Sequence, residues 1–230
     1  MQGLLVRVGI DSTDGCWNAP VNLNTGKFAY VTITEEKPLR AGFERLYDEF
    51  EAVILKFKID IPRHLKGVGT HLDPDFLNLT YGDQGRRAKQ IGQLGAGDLL
   101  VFFASLRDFR TANLVYALIG LYVIDEIVSA NSVPPDRWSE NAHTRRLPGT
   151  TDIVVRARRE LSGRLDRCIP IGEYRDRAYR VKRELLEAWG DLTVKDGYLQ
   201  RSARLPAFRD AATFYQWFLK NESSLLQRNN

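Results

Sequence analysis

The sequence predicts an α+β fold, a mixed, mostly antiparallel β-sheet or small barrel flanked by helices, with a helical C-terminal segment. Two observations carry this. Apolar runs rich in β-branched and aromatic residues stand at residues 4–10, 98–105 and 114–129. Segments with apolar residues three and four apart fall between and after them, without the regular alternation of a doubly wound parallel sheet. No repeat and no low-complexity linker divides the 230 residues. One domain over residues 1–230 is therefore expected, with a basic helical subregion at residues 170–222.

The elements follow in order. Residues 4–10 (LLVRVGI) form a buried strand, stopped by the turn formers Asp11, Ser12, Thr13, Asp14 and Gly15. Residues 27–34 alternate as a second strand. Residues 38–57 carry Phe43, Leu46, Tyr47, Phe50, Val53 and Ile54 on one helical face. Pro62, Gly67 and Gly69 hold a loop, and residues 86–94 make a short helix ending near Gly95 and Gly97. Residues 98–105 are a strong strand and residues 114–129 a long one bent around Gly120. Asp136 caps a single helical turn at residues 137–140, and residues 153–158 form a further strand. Residues 176–189 form the clearest helix, residues 208–219 an aromatic one, and the tail after Glu222 frays.

Composition excludes several classes. The 43% hydrophobic and 27% charged content excludes disorder. A membrane helix is excluded because residues 114–128, the longest apolar stretch, are broken by Gly120, Asp125 and Glu126 and fall short of the ~20 residues a span needs. The start has no basic n-region or cleavage site, so no signal peptide is expected. Only Cys16 and Cys168 occur, too few for a disulfide framework, and the cytoplasm is the expected compartment. The net charge of +4 is uneven. Residues 1–144 hold 15 Lys+Arg against 18 Asp+Glu, a net of −3, and residues 145–230 hold 18 against 11, a net of +7. Arginine outnumbers lysine 24 to 9. An Arg-rich half suits phosphates and guanine edges, although solvated, ion-paired helix faces give the same composition.

Four segments are candidates for chemistry. Asp11, at the end of the first strand, is placed to hold a divalent cation or a substrate hydroxyl, or simply to close an Asx-turn. His71 and Asp73, two apart on an extended segment, point the same way and can share a metal or a proton. The alternative is a structural Asp–Pro turn. Gly85 with Arg86 and Arg87 offers backbone amides and guanidinium groups to a phosphate, but lacks the P-loop spacing. Arg107 and Arg110 follow the strong strand, with Phe103 and Phe109 as bases' stacking partners. By alternation one of Phe102 and Phe103 faces the core. Last, Trp138 precedes His143, Arg145 and Arg146, a loop suited to base and phosphate contact or an ordinary basic loop. Neither cysteine has a His beside it, so both are packed thiols, and no paired Cys/His spacing marks a structural zinc.

Several of these segments together resemble one family. Val8-Gly9-Ile10-Asp11-Ser12 with Gly15 and Pro20, then His71-Leu72-Asp73-Pro74, then Gly97-Asp98 leading into the Phe102-Phe103 strand, are similar to the nucleotide-modification-associated domain of the third type. The likeness spans roughly residues 5–130 and rests on order and spacing. It departs at the start, where the family's Arg-x-Gly-Phe-Asp is here Arg7-Val8-Gly9-Ile10-Asp11. The Gly97-Asp98 strand with Gly120 and Val123 also resembles PUA-like readers of modified bases.

The resemblance implies a prokaryotic or phage protein that binds nucleic acid or a nucleotide in base modification or its recognition, with protein partners from a modification or defence system. Arg86, Arg87, Arg107, Arg110, His143, Arg145 and Arg146 would then grip phosphates, and Phe103, Phe109 or Trp138 would stack a base. The alternative is an enzyme on the same substrates, a nuclease, glycosylase or base-modifying transferase. It would use Asp11, His71 and Asp73 around a water or a divalent metal of unknown identity. A third reading has the aromatic helix near Phe214 docking a partner.

Overall fold

In a computed structural model, residues 1–12, 17–200, 204–221 and 224–230 are described; the turn residues 13–15 and Cys16 fall outside them. The centre is an antiparallel pair, β6 (Leu99–Asp108) and β7 (Leu114–Ser129). Along the outer edge of β6 run β1 (Gly3–Arg7) and β2 (Pro20–Val21), both parallel to it. The far edge of β7 branches. Its first half pairs with β9 (Gly163–Pro170) and its second half with β8 (Ile153–Ala157), each antiparallel. β5 (Thr80–Asp83) then adds to β8, and β12 (Leu225–Leu226) to β9. These eight strands form one open sheet, order β1-β6-β7-β8-β5 along its main path, and it does not close into a barrel. Two ribbons flank it: β3 (Ile33–Thr34) with β4 (Thr70–His71), and β10 (Gly172–Arg175) with β11 (Ala178–Val181).

Both faces of the sheet are covered, which is why its central strands are near-continuously apolar rather than alternating. Leu100, Phe102 and Ala104 of β6 face one core with Tyr30, Tyr47 and Phe76. Leu99, Val101 and Phe103 face the other, beneath α4 (Arg183–Trp189) and α5 (Ala211–Lys220). On the first side the rings of Phe76, Phe102 and Tyr122 meet edge to face at 4.8–5.8 Å between centroids. Phe76 stands directly over Gly120, at the point where the β6–β7 register slips. Among the described residues no helix is long and apolar enough to cross a membrane.

The structure corrects several element expectations. Residues 38–57 are not one helix. Arg40 N–H bonds the Arg145 carbonyl at 2.8 Å, which holds that stretch extended, and only a 3-10 turn, Tyr47–Phe50, and α1 (Glu51–Leu55) are helical. Residues 27–34 do not run as one strand: Phe28 bridges Val21, and pairing resumes only at Ile33. The helix expected over residues 176–189 begins at Arg183. Asp176 and Arg177 both take positive φ in the two-residue turn joining β10 to β11. Tyr179 and Val181, two apart, carried a strand period that resembled a helical one. Asp136 lies inside a turn that starts at Pro135 rather than capping it. The C-terminal tail is pinned, with Leu225 and Leu226 in the sheet and the Asn229 and Asn230 side chains bonded to the Phe76 and Tyr30 backbones. The third reading's docking helix is turned inward: on α5 Phe214 and Phe218 are buried on the sheet, and Tyr215 and Trp217 pack half-buried against the same core.

A Cβ at position 120 would lie 2.5 Å from Phe76 Cε1 and 2.9 Å from the Gly163 carbonyl oxygen. Gly120→Ala therefore costs about 1–3 kcal/mol through overpacking, and lowers Tm by on the order of 5 °C. A melting curve unchanged from the parent protein would refute this packing account.

Candidate metal centre

Beside the β5 edge lies a cleft of about 420 Å³, whose polar walls include Arg7, Glu35, His71, Asp73, Arg87, His143 and Arg146. Within it lies a buried cluster formed by His71, Asp73 and His143, whose candidate ligand atoms all lie within 4.8 Å of one another. The folding of four chain segments brings them together. His71 ends β4, and the β3–β4 pairing places Ile33 opposite it, so that Glu35 just beyond β3 reaches its ring. Asp73 follows two residues on. Both of its oxygens accept the Gly82 N–H of β5, at 3.0 and 2.9 Å, and Oδ1 also accepts Asn141 Nδ2 at 3.1 Å. Asn141 caps α3 (Ala142–Arg145) by accepting the His143 N–H, which orients His143. Asp152, immediately before β8, receives the His143 ring.

The two histidines are held in the same way. His71 Nδ1 is 2.5 Å from Glu35 Oε2, and His143 Nδ1 is 2.8 Å from Asp152 Oδ2. A carboxylate only accepts, so each Nδ1 donates its proton there and each Nε2 is turned the other way. The two Nε2 atoms converge: those of His71 and of His143 stand 3.9 and 3.8 Å from the same oxygen, Asp73 Oδ2. Arg146 ties the carboxylates together, bonding Glu35 Oε1 at 3.0 Å and Asp152 Oδ2 at 3.3 Å. Gly82 is required here, since a Cβ would lie 2.4 Å from His143 Cδ2.

Electrostatics follow the geometry. Burial, the largest influence on Glu35, pushes its carboxyl up, but the hydrogen bond and charge of His71 with the charge of Arg146 outweigh it and hold it at about 2. Asp152 is likewise held well below the ordinary range, burial being outweighed by His143 and Arg146. Burial lowers His143 despite its bond to Asp152, so the imidazole is neutral near pH 7. Burial raises Asp73 well above the carboxylate range, against the hydrogen bonds from Gly82 and Asn141. The Asp73 carboxylate and the two imidazole Nε2 atoms together make a buried donor set suited to a divalent cation.

The residues expected from sequence are distributed unevenly around this centre. His71 and Asp73 lie in it, joined by His143, which the sequence had suggested as a phosphate contact. Asp11 stands behind the cleft, buried, with its carboxylate 2.7 Å from Arg7. Arg87 lines the cleft, held by Asp83 at 3.2 Å, while Arg86 is exposed on the outer side of α2 (Gly85–Ile91). Arg107 bonds the Ala112 carbonyl at the β6–β7 turn, where Arg110 is exposed. Arg145 is buried and committed to Asp75 at 2.5 Å, and Arg146 to Glu35 and Asp152, so neither is a surface phosphate grip. Phe103 is 2% exposed inside the core and has no face for a base. Phe109 packs edge-on against Phe57, and Trp138 carries the Arg40 guanidinium 3.5 Å from its ring centre. Glu35 and Asp152 escaped sequence reading. Their one signal was that two of only three histidines need proton acceptors.

Because Glu35 is depressed below its ordinary 4.5, its stabilising contribution is full above about pH 4.5 and is lost as the pH falls toward 2. Removing one partner of a buried ion network costs about 3–5 kcal/mol, so Glu35→Ala lowers Tm at pH 7 by on the order of 10 °C. It also flattens the decline of Tm between pH 4.5 and 2. Thermal melts across pH check both, and an acid limb as steep in the variant as in the parent would contradict the assignment.

One family model, described as nucleotide modification associated domain 3, matches residues 2–208. The match extends past the motifs at residues 5–130 and encloses His71, Asp73, His143, Glu35 and Asp152. No curated protein and no solved structure matches the chain. With nine-tenths of its length covered by that model, the chain belongs to the nucleotide modification associated domain 3 family.

Proposed function

We propose that this protein is a metal-dependent enzyme acting on a nucleotide or a nucleic-acid base. The observation that carries the reading is the convergence of two carboxylate-backed imidazoles on one oxygen of Asp73. Two imidazole nitrogens and one carboxylate are a donor set for zinc, iron and similar divalent ions, and three protein ligands leave coordination positions free. A carboxylate on each Nδ1–H is the usual outer support of a metal-bound histidine. When bound, the metal would supply an acidified water or an open position for substrate.

The chain's own residues shape the rest. Arg7, Lys37 and Arg87 line the same cleft and give its wall positive charge for a phosphate. Arg7 and Arg87 are each steadied by a carboxylate, Asp11 and Asp83, which fixes their direction. At about 420 Å³ the cleft is large enough for a nucleotide-sized ligand, since small-molecule sites run to about 300–1,000 Å³. The family's association with nucleotide modification supports the substrate class. A reader of modified bases would use the same cleft and the same arginines but has no need of the imidazole pair.

Metal analysis of purified protein is expected to give about one divalent ion per chain, and His71→Ala, Asp73→Asn and His143→Ala each to lose it. Binding weakens as the pH falls, because protons compete with the metal for the imidazole nitrogens. Titration calorimetry with zinc, manganese and iron(II) identifies the preferred ion. A parent protein that retains no more metal than Asp73→Asn would rule out the enzyme reading and leave the reader.

A further inference from the structure

A second cleft of some 390 Å³ shares no lining residue with the metal centre. It is bounded by the chain between β2 and β3, the end of α1, Phe109, β9 and the C-terminal tail. At its wall is Arg164, 5% exposed. Its Nε is fully buried with no hydrogen-bond partner, and among the described residues no carboxylate lies within ion-pair distance. Asp166, the acid nearest in sequence, is bonded to Lys27 at 2.6 Å instead. The Arg164 guanidinium stands over the Phe28 ring, 4.8 Å from centre to carbon.

The other buried arginines also leave one guanidinium nitrogen without a hydrogen-bond partner, but each has a carboxylate. Arg145 is locked to Asp75, and Arg146 to Glu35 and Asp152. Burying a guanidinium without a counter-charge is strongly unfavourable, so a chain that pairs two buried arginines and leaves a third unpaired at a cavity has left room for an anion. The surroundings are positive on balance: Arg228, Lys56 and Lys27 line the same cleft from exposed positions, against the one lining carboxylate, Asp166, which is bonded to Lys27. Burial and the Arg228 charge pull the Arg164 guanidinium down to about 10, so it remains protonated at neutral pH. Phe57 and Phe109, edge to face at 5.9 Å, form an apolar wall with Phe28, and the half-buried Phe109 is the ring of the three accessible to a flat ligand.

We propose that this cleft is a second ligand site, independent of the metal centre, that takes a phosphate monoester carrying a planar base, a nucleoside monophosphate, with Arg164 as the buried anion contact. The cleft volume and the mixture of guanidinium and aromatic walls fit such a body better than a bare ion.

Titration calorimetry of the whole protein with AMP, GMP, adenosine and inorganic phosphate tests the assignment. A monophosphate is expected to bind more tightly than either adenosine or inorganic phosphate. Arg164→Gln abolishes that binding. The exposed changes Lys56→Glu and Arg228→Glu, which leave the circular dichroism spectrum and Tm unaltered, weaken it about tenfold each or more. The double change covers the case in which Arg164→Gln fails to fold. His71→Ala leaves this binding intact, which separates the site from the metal centre. No monophosphate binding, binding indifferent to the Lys56 and Arg228 changes, binding lost on His71→Ala, or inorganic phosphate binding as tightly as AMP would each overturn the proposal.

Discussion

A buried guanidinium has to be paired, and the pairing of Arg146 organises the whole metal centre. Its two arms reach Glu35, just beyond β3, and Asp152, just before β8, two carboxylates more than a hundred residues apart in the chain. Each carboxylate also accepts one histidine Nδ1. The orientation of both imidazoles is therefore decided through their carboxylate partners, by a charge that itself stands on the cleft wall. Once both Nδ1 atoms are taken, the free nitrogens have only one direction left, toward Asp73. That residue is fixed in turn by the Gly82 N–H and Asn141. A chain of acceptors and donors five residues long thus turns a salt bridge into a ligand geometry.

The sheet makes this arrangement rigid. A site needs its parts held to a fraction of an ångström, and elements in a packed sheet do that better than free loops. β5 supplies Gly82, β8 begins directly after Asp152, and the β3–β4 ribbon sets His71 against Glu35. Both faces of the central strands are packed, one by the Phe76–Phe102–Tyr122 rings and the other by Trp189 and Phe214 beneath the C-terminal helices. The aromatic C-terminal helix, which by composition suited a docking surface, is instead the lid of that second core.

What the sequence revealed depended on range. The strands at residues 98–105 and 114–129 were legible because their apolar runs are long and their neighbours unambiguous turns, and the bend at Gly120 is where the register slips. Short elements failed where two periods overlap: residues 179 and 181 fit both a strand and a helix, and the pairing of β10 with β11 decides. His71 and Asp73 were legible because a two-residue spacing on an extended segment is local information. Their partners were not, because Glu35, His143 and Asp152 become neighbours only through strand pairing and a helix cap. Phe103 shows the same limit, as alternation sends one of two adjacent rings inward without saying that the other side is covered as well.

The uneven charge of the chain takes on a different meaning in the fold. A −3 segment followed by a +7 segment suggests a surface for a polyanion, yet the pairs run between the segments. Arg145 meets Asp75, Arg146 meets Glu35, and Arg156 meets Glu126 and Glu140, each joining a cation after residue 144 to an acid before it. Arg175 is satisfied locally by Glu173 and Asp196. The asymmetry is in good part the two complementary sides of internal ion pairs. Internal pairing also gives weight to the exception. In a chain that routinely matches buried arginines to carboxylates, Arg164 is buried, unmatched and turned to a cavity, so its charge is left for something that arrives from outside.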